Sequence, residues 1–391
     1  MTFIPPHLID PLVRTMRPVS DLIARTDYDL NVELDDSVAQ AFDKMHDAPA
    51  IICANHPDPQ DPIALVLATS KLPERVYFMT AREVFMRHPS LRSVWLQSLG
   101  CYSVERGMRD VRSMRQTLRL LNEGNNKVVI FPEGEISHQS DHLMELEPGV
   151  AQLAMDVSGV LLLPVGLVYR YHTNNMDELV NILRRLEETL GVKRDPADSP
   201  FTRLSKCYCA FLEDEEPFHN LPKLPDASIY ERIQRLIAHW LVELELEMVG
   251  KERVGKPIER LHYLKAQLIR DRFDRHRAVT EENAQWYREI RKATRLVGLH
   301  QHSFETPLSQ EQFAELLTIL SWQLYNKDIV PAWPRTAYVR AGEPIDISMF
   351  DDLDWSNRKR GAMQITNLLR GRMTAQFDRL MREHQSLACF E

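Results

Sequence analysis

The sequence predicts an α/β fold, with a mostly parallel central sheet flanked by helices and a mainly helical C-terminal extension. Short apolar runs alternate with helical patterns from about residue 28 to residue 250, which is typical of βαβ units. Runs such as Leu161–Leu163 contain no polar residue, as expected of parallel strands that helices cover on both faces. We therefore predict an N-terminal segment at 1–27, a sheet-containing domain at 28–250 and an extension at 251–391 with a late strand–helix unit at 337–383.

The strands are predicted from short runs of β-branched, aromatic and other apolar residues. They lie at Ala50–Ala54, Val76–Met79, Cys101–Val104, Val128–Phe131, Val160–Val168 and Cys207–Leu212. Apolar residues at helical spacing indicate the helices. These lie at Pro62–Ser70, Arg82–Leu99, Met108–Asn122, Val150–Val157, Ile229–Met248, Ile258–Arg277, Glu281–Leu299 and Ser309–Asn326. Loops are expected at Lys193–Pro200 and Glu213–Asp226, and the helix at Ile229–Met248 is expected to dock one face against the sheet.

Two distant stretches echo each other. Cys209–Pro217 and Ala337–Ile345 both read as a strand that leads through a loop into a long amphipathic helix, the second of which is Ile365–Met381. Two interpretations remain open. Either the unit is duplicated, or the second strand joins the sheet after a long helical excursion.

The composition is that of a globular protein, with 44% hydrophobic and 27% charged residues over 391 positions. The net charge of −8 argues against general nucleic-acid binding. The charge is uneven, because residues 251–300 hold thirteen Lys/Arg and seven Asp/Glu. This region is read either as a solvated helix face or as a patch for anionic lipid headgroups or an acidic partner. Four arginines mark it: Arg270, Arg272, Arg275 and Arg277.

Membrane-spanning and secretory features are not expected. The longest apolar run, Gly159–Val168, is about half of the roughly 20 residues that a spanning helix needs. The N-terminus has no basic region followed by an apolar core, so we expect a cytoplasmic protein. Five cysteines without a secretion signal predict no disulfide framework, and their spacing predicts no metal site.

The first motif with chemical potential is the segment Asn55–Asp61. His56 follows a predicted buried strand, and Asp61 precedes Pro62 at the start of a predicted helix, where it can serve as a cap. A carboxylate bonded to one imidazole nitrogen leaves the other free to accept a proton. The pair is therefore a candidate general base, although a structural histidine beside a helix cap explains it equally simply.

Three further motifs follow strands. Arg106 and Gly107 lie between a strand and a helix, where a guanidinium and free N–H groups suit an anion. Glu133 and Gly134 follow an apolar strand that ends in Phe-Pro, at the sheet edge where open α/β folds bind ligands. A fourth block, Leu161–Gly166, reads as a strand interrupted by proline. Each has a structural explanation on its own: a surface arginine, a solvated turn and a core strand.

Taken in order, the four blocks resemble the glycerolipid acyltransferase family, and the resemblance covers about residues 28–250. It implies an acyltransferase-like fold and the transfer of a fatty acyl group from acyl-CoA or acyl-carrier protein to a glycerol-phosphate or lysolipid acceptor, with no metal or other cofactor. His56 would be the general base and Asp61 would orient it. Backbone donors at the start of the following helix are expected to stabilise the oxyanion. The resemblance assigns Arg106, Gly107, Glu133 and Gly134 to acceptor or phosphate binding, and Asn55, Leu163 and Pro164 to the acyl-donor pocket.

The sequence departs from the family after the third motif. Glu135-Ile136 stand where Thr-Arg is usual, which removes a phosphate contact and adds a negative charge. We expect either a replacement by another basic residue, with His138, His142 and Arg170 as candidates, or an acceptor without the usual phosphate.

Peripheral membrane attachment is expected through the segment Leu8–Val19 and the basic region, although the segment equally suits core packing. Two rival functions remain: a lipid-binding scaffold without activity, and an acyl-thioester hydrolase.

Overall fold

The structure is a computed structural model that describes residues 3–70, 72–86, 91–107, 110–224, 226–271, 280–350 and 352–390. The chain forms two compact units. The first unit comprises Met1–Ile136, Leu143–Arg170 and Pro334–Gln385, and the second comprises Ser137–His142, Tyr171–Trp333 and Ser386–Glu391. This division differs from the three predicted segments, because the expected boundary at 250 lies inside the second unit and the strand–helix unit at 337–383 belongs to the first.

The first unit is built on one sheet. Its strands are β1 (Leu30–Leu34), β2 (Ala50–Ala54), β3 (Val76–Ala81), β4 (Cys101–Val104), β5 (Lys127–Ile130), β6 (Leu161–Tyr171), β8 (Arg335–Ala341) and β9 (Ile345–Asp346). The two remaining strands form a small antiparallel pair in the second unit: β7 (Leu308–Ser309) and β10 (Cys389–Phe390). In the described part of the chain the order is β1-β8-β6-β2-β5-β3-β4, with β9 antiparallel to β6. The pairs β1–β8, β2–β5, β2–β6, β3–β4 and β3–β5 are parallel. The predicted mostly parallel sheet is confirmed.

The late strand β8 joins this sheet between β1 and β6. The second interpretation of the sequence echo is therefore confirmed: the chain returns to the sheet after a helical excursion. Duplication is wrong, because Cys209–Pro217 lies inside a helix.

Helices of the first unit cover both faces of the sheet. They are α1 (Asp10–Asp27), α2 (Asp36–Lys44), α3 (Asp61–Thr69), α4 (Arg82–Met86), α5 (Leu91–Ser98), α6 (Val111–Asn122), α7 (Gly149–Asp156) and α14 (Arg358–Glu383). Alternate residues of β2 enter two separate cores, as the two-residue period of a strand requires. Ala50, Ile52 and Ala54 pack with α2 and α3 residues, whereas Ile51 and Cys53 pack with residues of α6, α7 and α14.

The second unit is mainly helical, with α8 (Met176–Leu190), α9 (Pro200–Phe218), α10 (Ile229–Val249), α11 (Pro257–Ile269), α12 (Glu281–Val297) and α13 (Gln310–Tyr325) around one apolar core. Three buried glutamates join successive helices. The Nε of Arg203 lies 2.7 Å from Glu187, the Nη2 of Arg232 lies 2.9 Å from Glu216, and that of Arg260 lies 2.6 Å from Glu245. In each pair the glutamate lies near the end of one helix and the arginine near the start of the next. Each ion pair therefore connects two successive helices.

The strand predicted at Cys207–Leu212 is wrong, because these residues lie within α9. Ser199 accepts a hydrogen bond from the Thr202 N–H and Pro200 takes the first helical position, so the helix starts well upstream. Its buried side chains recur every three or four residues: Leu204, Cys207, Tyr208, Phe211 and Leu212. The helix also runs to Phe218, through the first part of the expected loop at Glu213–Asp226.

Two smaller predictions change as well. Helix α10 packs in the core of the second unit with α9, α11 and α12, so the expected docking of its face against the sheet is wrong. The helix expected over Arg82–Leu99 is described as α4 and α5, and residues 87–90 between them lie outside the described residues.

Part of the expected membrane-binding surface lies outside the residues that the structure describes. Arg272, Arg275 and Arg277 fall in the stretch 272–279, which is not described, and Arg270 is the C-cap residue of α11. The N-terminal segment forms the helix α1. Within the described residues, none of the helices combines the length and the apolar composition that a membrane crossing requires.

Candidate active site

The structure brings His56 and Asp61 together beyond the carboxyl end of β2. Their contact joins Nδ1 of His56 to Oδ2 of Asp61 at 2.7 Å. Asp61 is the first residue of α3 and Pro62 the second, so the prolines around it bring the chain from strand to helix within seven residues. Gln60, and not Asp61, is the N-cap residue, and the Asp61 side chain is turned to the histidine instead.

Asp61 is fully buried and accepts hydrogen bonds on both oxygens. The hydroxyl of Tyr169 donates to Oδ1, and the Asp58 N–H donates to Oδ2 at 2.9 Å. Burial raises the pKa of Asp61, while its hydrogen bond and charge interaction with His56 act in the opposite direction. Because two other donors already point at this carboxylate, it acts as an acceptor, and we assign the donor of the His56–Asp61 contact to the Nδ1–H of His56. The Nε2 atom is then the proton acceptor of the pair.

Glu133 fixes the backbone of the same histidine. Its Oε1 accepts the His56 N–H at 2.6 Å, and its Oε2 accepts the Met144 N–H at 2.9 Å. The carboxyl is buried, and burial raises its pKa to about 7, against the lowering effect of those two N–H groups. Phe131 stacks on the imidazole with ring centroids 4.0 Å apart. The third motif thus supports His56 from both its ring and its backbone.

The expected oxyanion donors at the start of α3 are already in use. Between His56 and Pro62, the N–H of His56 donates to Glu133, that of Asp58 to Asp61, that of Gln60 to the Asp58 side chain, and that of Asp61 to the Asp58 carbonyl. The remaining residues of this stretch are prolines, which have no N–H. In the described structure these N–H groups are all engaged within the protein, and oxyanion stabilisation by this backbone stays a prediction.

Arg106 lies next to the third motif and is surrounded by acceptors. Its Nη1 donates to the Gly134 carbonyl at 2.9 Å and lies 2.9 Å from Oε1 of Glu135, and its Nη2 donates to Glu83. Burial lowers the pKa of Arg106, but the charges of Glu135 and Glu83 outweigh it and raise the pKa overall. Gly107 and Gly134 adopt φ of 73° and 75°, the left-handed region in which glycine is favoured.

The residues predicted for the donor pocket are engaged in the sheet. Asn55 is buried, and its side chain donates to the Leu167 carbonyl at 2.9 Å and accepts the Leu167 N–H at 2.7 Å. Leu163 and Pro164 are buried in β6, opposite Ile52 and Cys53 of β2. The Asn55 amide thus ties the loop after β2 to β6, and its polar atoms face the Leu167 backbone.

Arg170, His138 and His142 are the candidates to replace the missing phosphate-binding arginine. The guanidinium of Arg170 donates to the His384 carbonyl at 2.7 Å and to the Tyr169 carbonyl at 2.8 Å. His138 and His142 belong to the second unit, where His142 stacks on His300 with centroids 4.1 Å apart.

Two residues that the sequence did not single out complete the network. Tyr169 is buried in β6 and holds Asp61. Arg335 opens β8; its Nη2 lies 2.9 Å from Asp58 Oδ1 and donates to Gln60 at 2.8 Å, and its Cζ lies 4.7 Å from the Tyr169 ring centroid. Tyr169 stands where the apolar part of β6 gives way to Tyr-Arg-Tyr, and this change of composition is a usable signal. Arg335 offers no comparable local signal.

The chemistry available at this site is proton transfer and charge stabilisation. His56 presents one nitrogen to the carboxylate, its side chain is 14% exposed, and the carboxylate itself is closed off from solvent. Among the described residues, no group of three or more His, Cys, Asp or Glu side chains is arranged to hold a metal ion.

Comparison with known protein families gives a match over part of the chain. Residues 30–168 match the family model described as Acyltransferase, a range that contains all four motifs and runs from β1 into β6. No curated protein matches the chain. Residues 30–168, about a third of the chain, are therefore similar to the acyltransferase family.

Proposed function

We propose that the protein transfers an acyl group from a thioester donor, either acyl-CoA or acyl-carrier protein, to a hydroxyl of a glycerolipid acceptor. The observation that supports this most directly is the 2.7 Å contact between His56 and the fully buried Asp61. A buried carboxylate with three hydrogen-bond donors is an arrangement that orients a base, and a satisfied structural histidine does not require it.

In the proposed reaction, Nε2 of His56 takes the proton of the acceptor hydroxyl as its oxygen attacks the thioester carbonyl. The new C–O bond forms a tetrahedral intermediate, which collapses with cleavage of the C–S bond. The departing thiolate takes the proton back from the imidazolium, so the base is restored. Asp61 stabilises the imidazolium while it exists, and Tyr169 keeps Asp61 ionised.

The test is transfer of a radiolabelled acyl group from acyl-CoA or acyl-carrier protein to a panel of lysolipids and monoacylglycerols. Replacement His56→Ala should reduce transfer by roughly 10²–10⁴-fold, the usual contribution of a positioned base. The matched control is His302→Ala. That histidine also contacts a carboxylate at 2.7 Å, Oε2 of Glu305, but its side chain is 71% exposed. If both variants transfer as well as the wild type, His56 is not the base.

The same assay separates the rival functions. A scaffold binds lipid but shows no turnover, and its binding is insensitive to His56→Ala. A hydrolase releases free fatty acid at a rate that no lipid acceptor changes. The buried support of His56 by Glu133 and Asp61 favours turnover over the scaffold.

Peripheral membrane binding accompanies this proposal, because its acceptors are lipids. Ile9, Val94 and Trp95 are 49%, 64% and 41% exposed, and the chain before α1 is hydrogen-bonded to the end of α5 through Ile9 N–H and the Ser98 carbonyl at 3.0 Å. We expect co-sedimentation with anionic vesicles at low salt. Val94→Asp should weaken it, and Val254→Asp, at a fully exposed valine of the second unit, should not. A wild-type protein that stays in the supernatant contradicts the attachment.

A further inference from the structure

Arg106, the arginine expected to bind the acceptor phosphate, is paired with two carboxylates of the same unit. Arg106 contacts Glu135 at 2.9 Å and donates to Glu83, and the side chains of the three residues are 19%, 9% and 13% exposed respectively. Glu135 is held in place, since its Oε1 also accepts the Ile136 N–H at 3.1 Å. We call Glu83, Arg106 and Glu135 the acidic triad. Its formal charge is −1.

The acidic triad is joined to the base through consecutive residues. Arg106 donates to the Gly134 carbonyl, and the neighbouring Glu133 accepts the His56 N–H. The acidic triad is therefore linked to His56 through two consecutive residues, Glu133 and Gly134, and we take it to face the groups that adjoin the acceptor hydroxyl. Glu133 adds a further carboxyl that ionises with a pKa of about 7.

A phosphate at this place would face like charges. A bidentate guanidinium contact is what makes arginine a phosphate ligand, and both carboxylates compete for that contact. Juxtaposing like charges in a half-buried site is unfavourable. A hydroxyl meets no such penalty, because it donates to a carboxylate and accepts from a guanidinium.

We infer that the acceptor is a neutral acylated alcohol, of the monoacylglycerol type, and that the acidic triad selects it over the corresponding phosphate ester. This inference rests on the proposed acyl transfer and specifies its substrate class.

The experiment compares two acceptors that differ only in the phosphate, 1-acylglycerol and 1-acylglycerol-3-phosphate. We expect the wild type to prefer 1-acylglycerol by tenfold or more in kcat/KM, on the order of the cost of like charges. The double variant Glu83→Gln/Glu135→Gln leaves the Arg106 charge without its carboxylate partners and should lower that preference at least tenfold. Glu135→Gln alone should also lower the preference for 1-acylglycerol. This single variant provides the test if the double variant does not fold. The control is Glu123→Gln, because this exposed carboxylate at the C-cap of α6 pairs with the exposed side chain of Arg119.

The possible outcomes are distinct. Acylation of neither acceptor contradicts the proposed function itself. A wild-type preference for the phosphate ester overturns the inference and leaves the proposed acyl transfer intact. The next variant would then replace Arg82, a buried arginine that precedes Glu83 in the sequence, to test whether it binds the phosphate. An unchanged preference in folded Glu83 and Glu135 variants shows that the acidic triad does not select the acceptor.

Discussion

Tyr169→Phe removes one hydroxyl from the buried network and changes little else. The hydroxyl donates to Oδ1 of Asp61, and that carboxylate contacts His56 through its other oxygen. Hydrogen bonds to charged groups contribute about 1.5–3 kcal/mol, and 1.36 kcal/mol corresponds to one pKa unit. Loss of the donor makes the Asp61 carboxylate less stable and a stronger acceptor for the imidazole proton. Most of that free energy acts on Asp61 itself and only part of it reaches the imidazole, so we expect the acid limb of the kcat/KM profile to move to higher pH by up to about one unit.

The assay is acyl transfer measured from pH 5 to pH 9, with thermal unfolding recorded for each protein. Tyr102→Phe is the matched control, because Tyr102 is equally buried and its hydroxyl bonds Thr117 at 2.7 Å, away from His56. Both variants should lose similar stability, but only Tyr169→Phe should shift the profile. An acid limb that stays in place, or one that moves equally in the control, refutes the role assigned to Tyr169.

Other predictions follow from the same structure. Asp61→Asn should lower kcat by roughly 10²–10⁴-fold in the acyl-transfer assay, because the amide no longer holds His56 as a base. Glu133 has a folded pKa of about 7, above its ordinary value, so its stabilising contribution is complete below about pH 4.5 and is lost as the pH rises through 7. The unfolding free energy of the wild type relative to Glu133→Gln should therefore fall by up to about 3 kcal/mol between pH 5 and pH 8 in urea titrations. Arg232→Ala leaves Glu216, which is 1% exposed, without its partner and should cost about 3–5 kcal/mol in the same titrations. A chain ending at residue 250 lacks β8 and should give no cooperative unfolding transition.

The strands β2 to β6 could be predicted within a few residues because each contains a short apolar run, and Pro49, Gly100 and Asn126 mark the starts of β2, β4 and β5. The failure at Cys207–Leu212 has a local cause. Six residues are too few to separate a two-residue period from a helical one, and the wider window from Ser199 to Phe218 contains the cap and the helical spacing.

In the candidate site, too, the residues that are close in sequence could be predicted and the distant ones could not. His56 and Asp61 lie five positions apart, and strand, prolines and helix start all act locally to bring them together. Tyr169 and Arg335 are 108 and 274 positions from Asp61, and only the sheet order brings them near. The charge of Glu135 was recognisable from sequence as unfavourable to phosphate, but its pairing with Arg106 required the fold.

The position of β8 explains why the family match and the folded unit differ in extent. Residues 30–168 contain β1 and most of β6, yet in the sheet these two strands are separated by β8, which enters only after the helical excursion. Without β8, the edges of β1 and β6 would each lose their neighbour, and unpaired backbone groups at such edges are costly when buried. The same strand delivers Arg335 to Asp58, Gln60 and Tyr169 around the candidate base. The C-terminal part of the chain therefore serves the first unit in two ways: it completes the sheet, and it supplies part of the surroundings of His56.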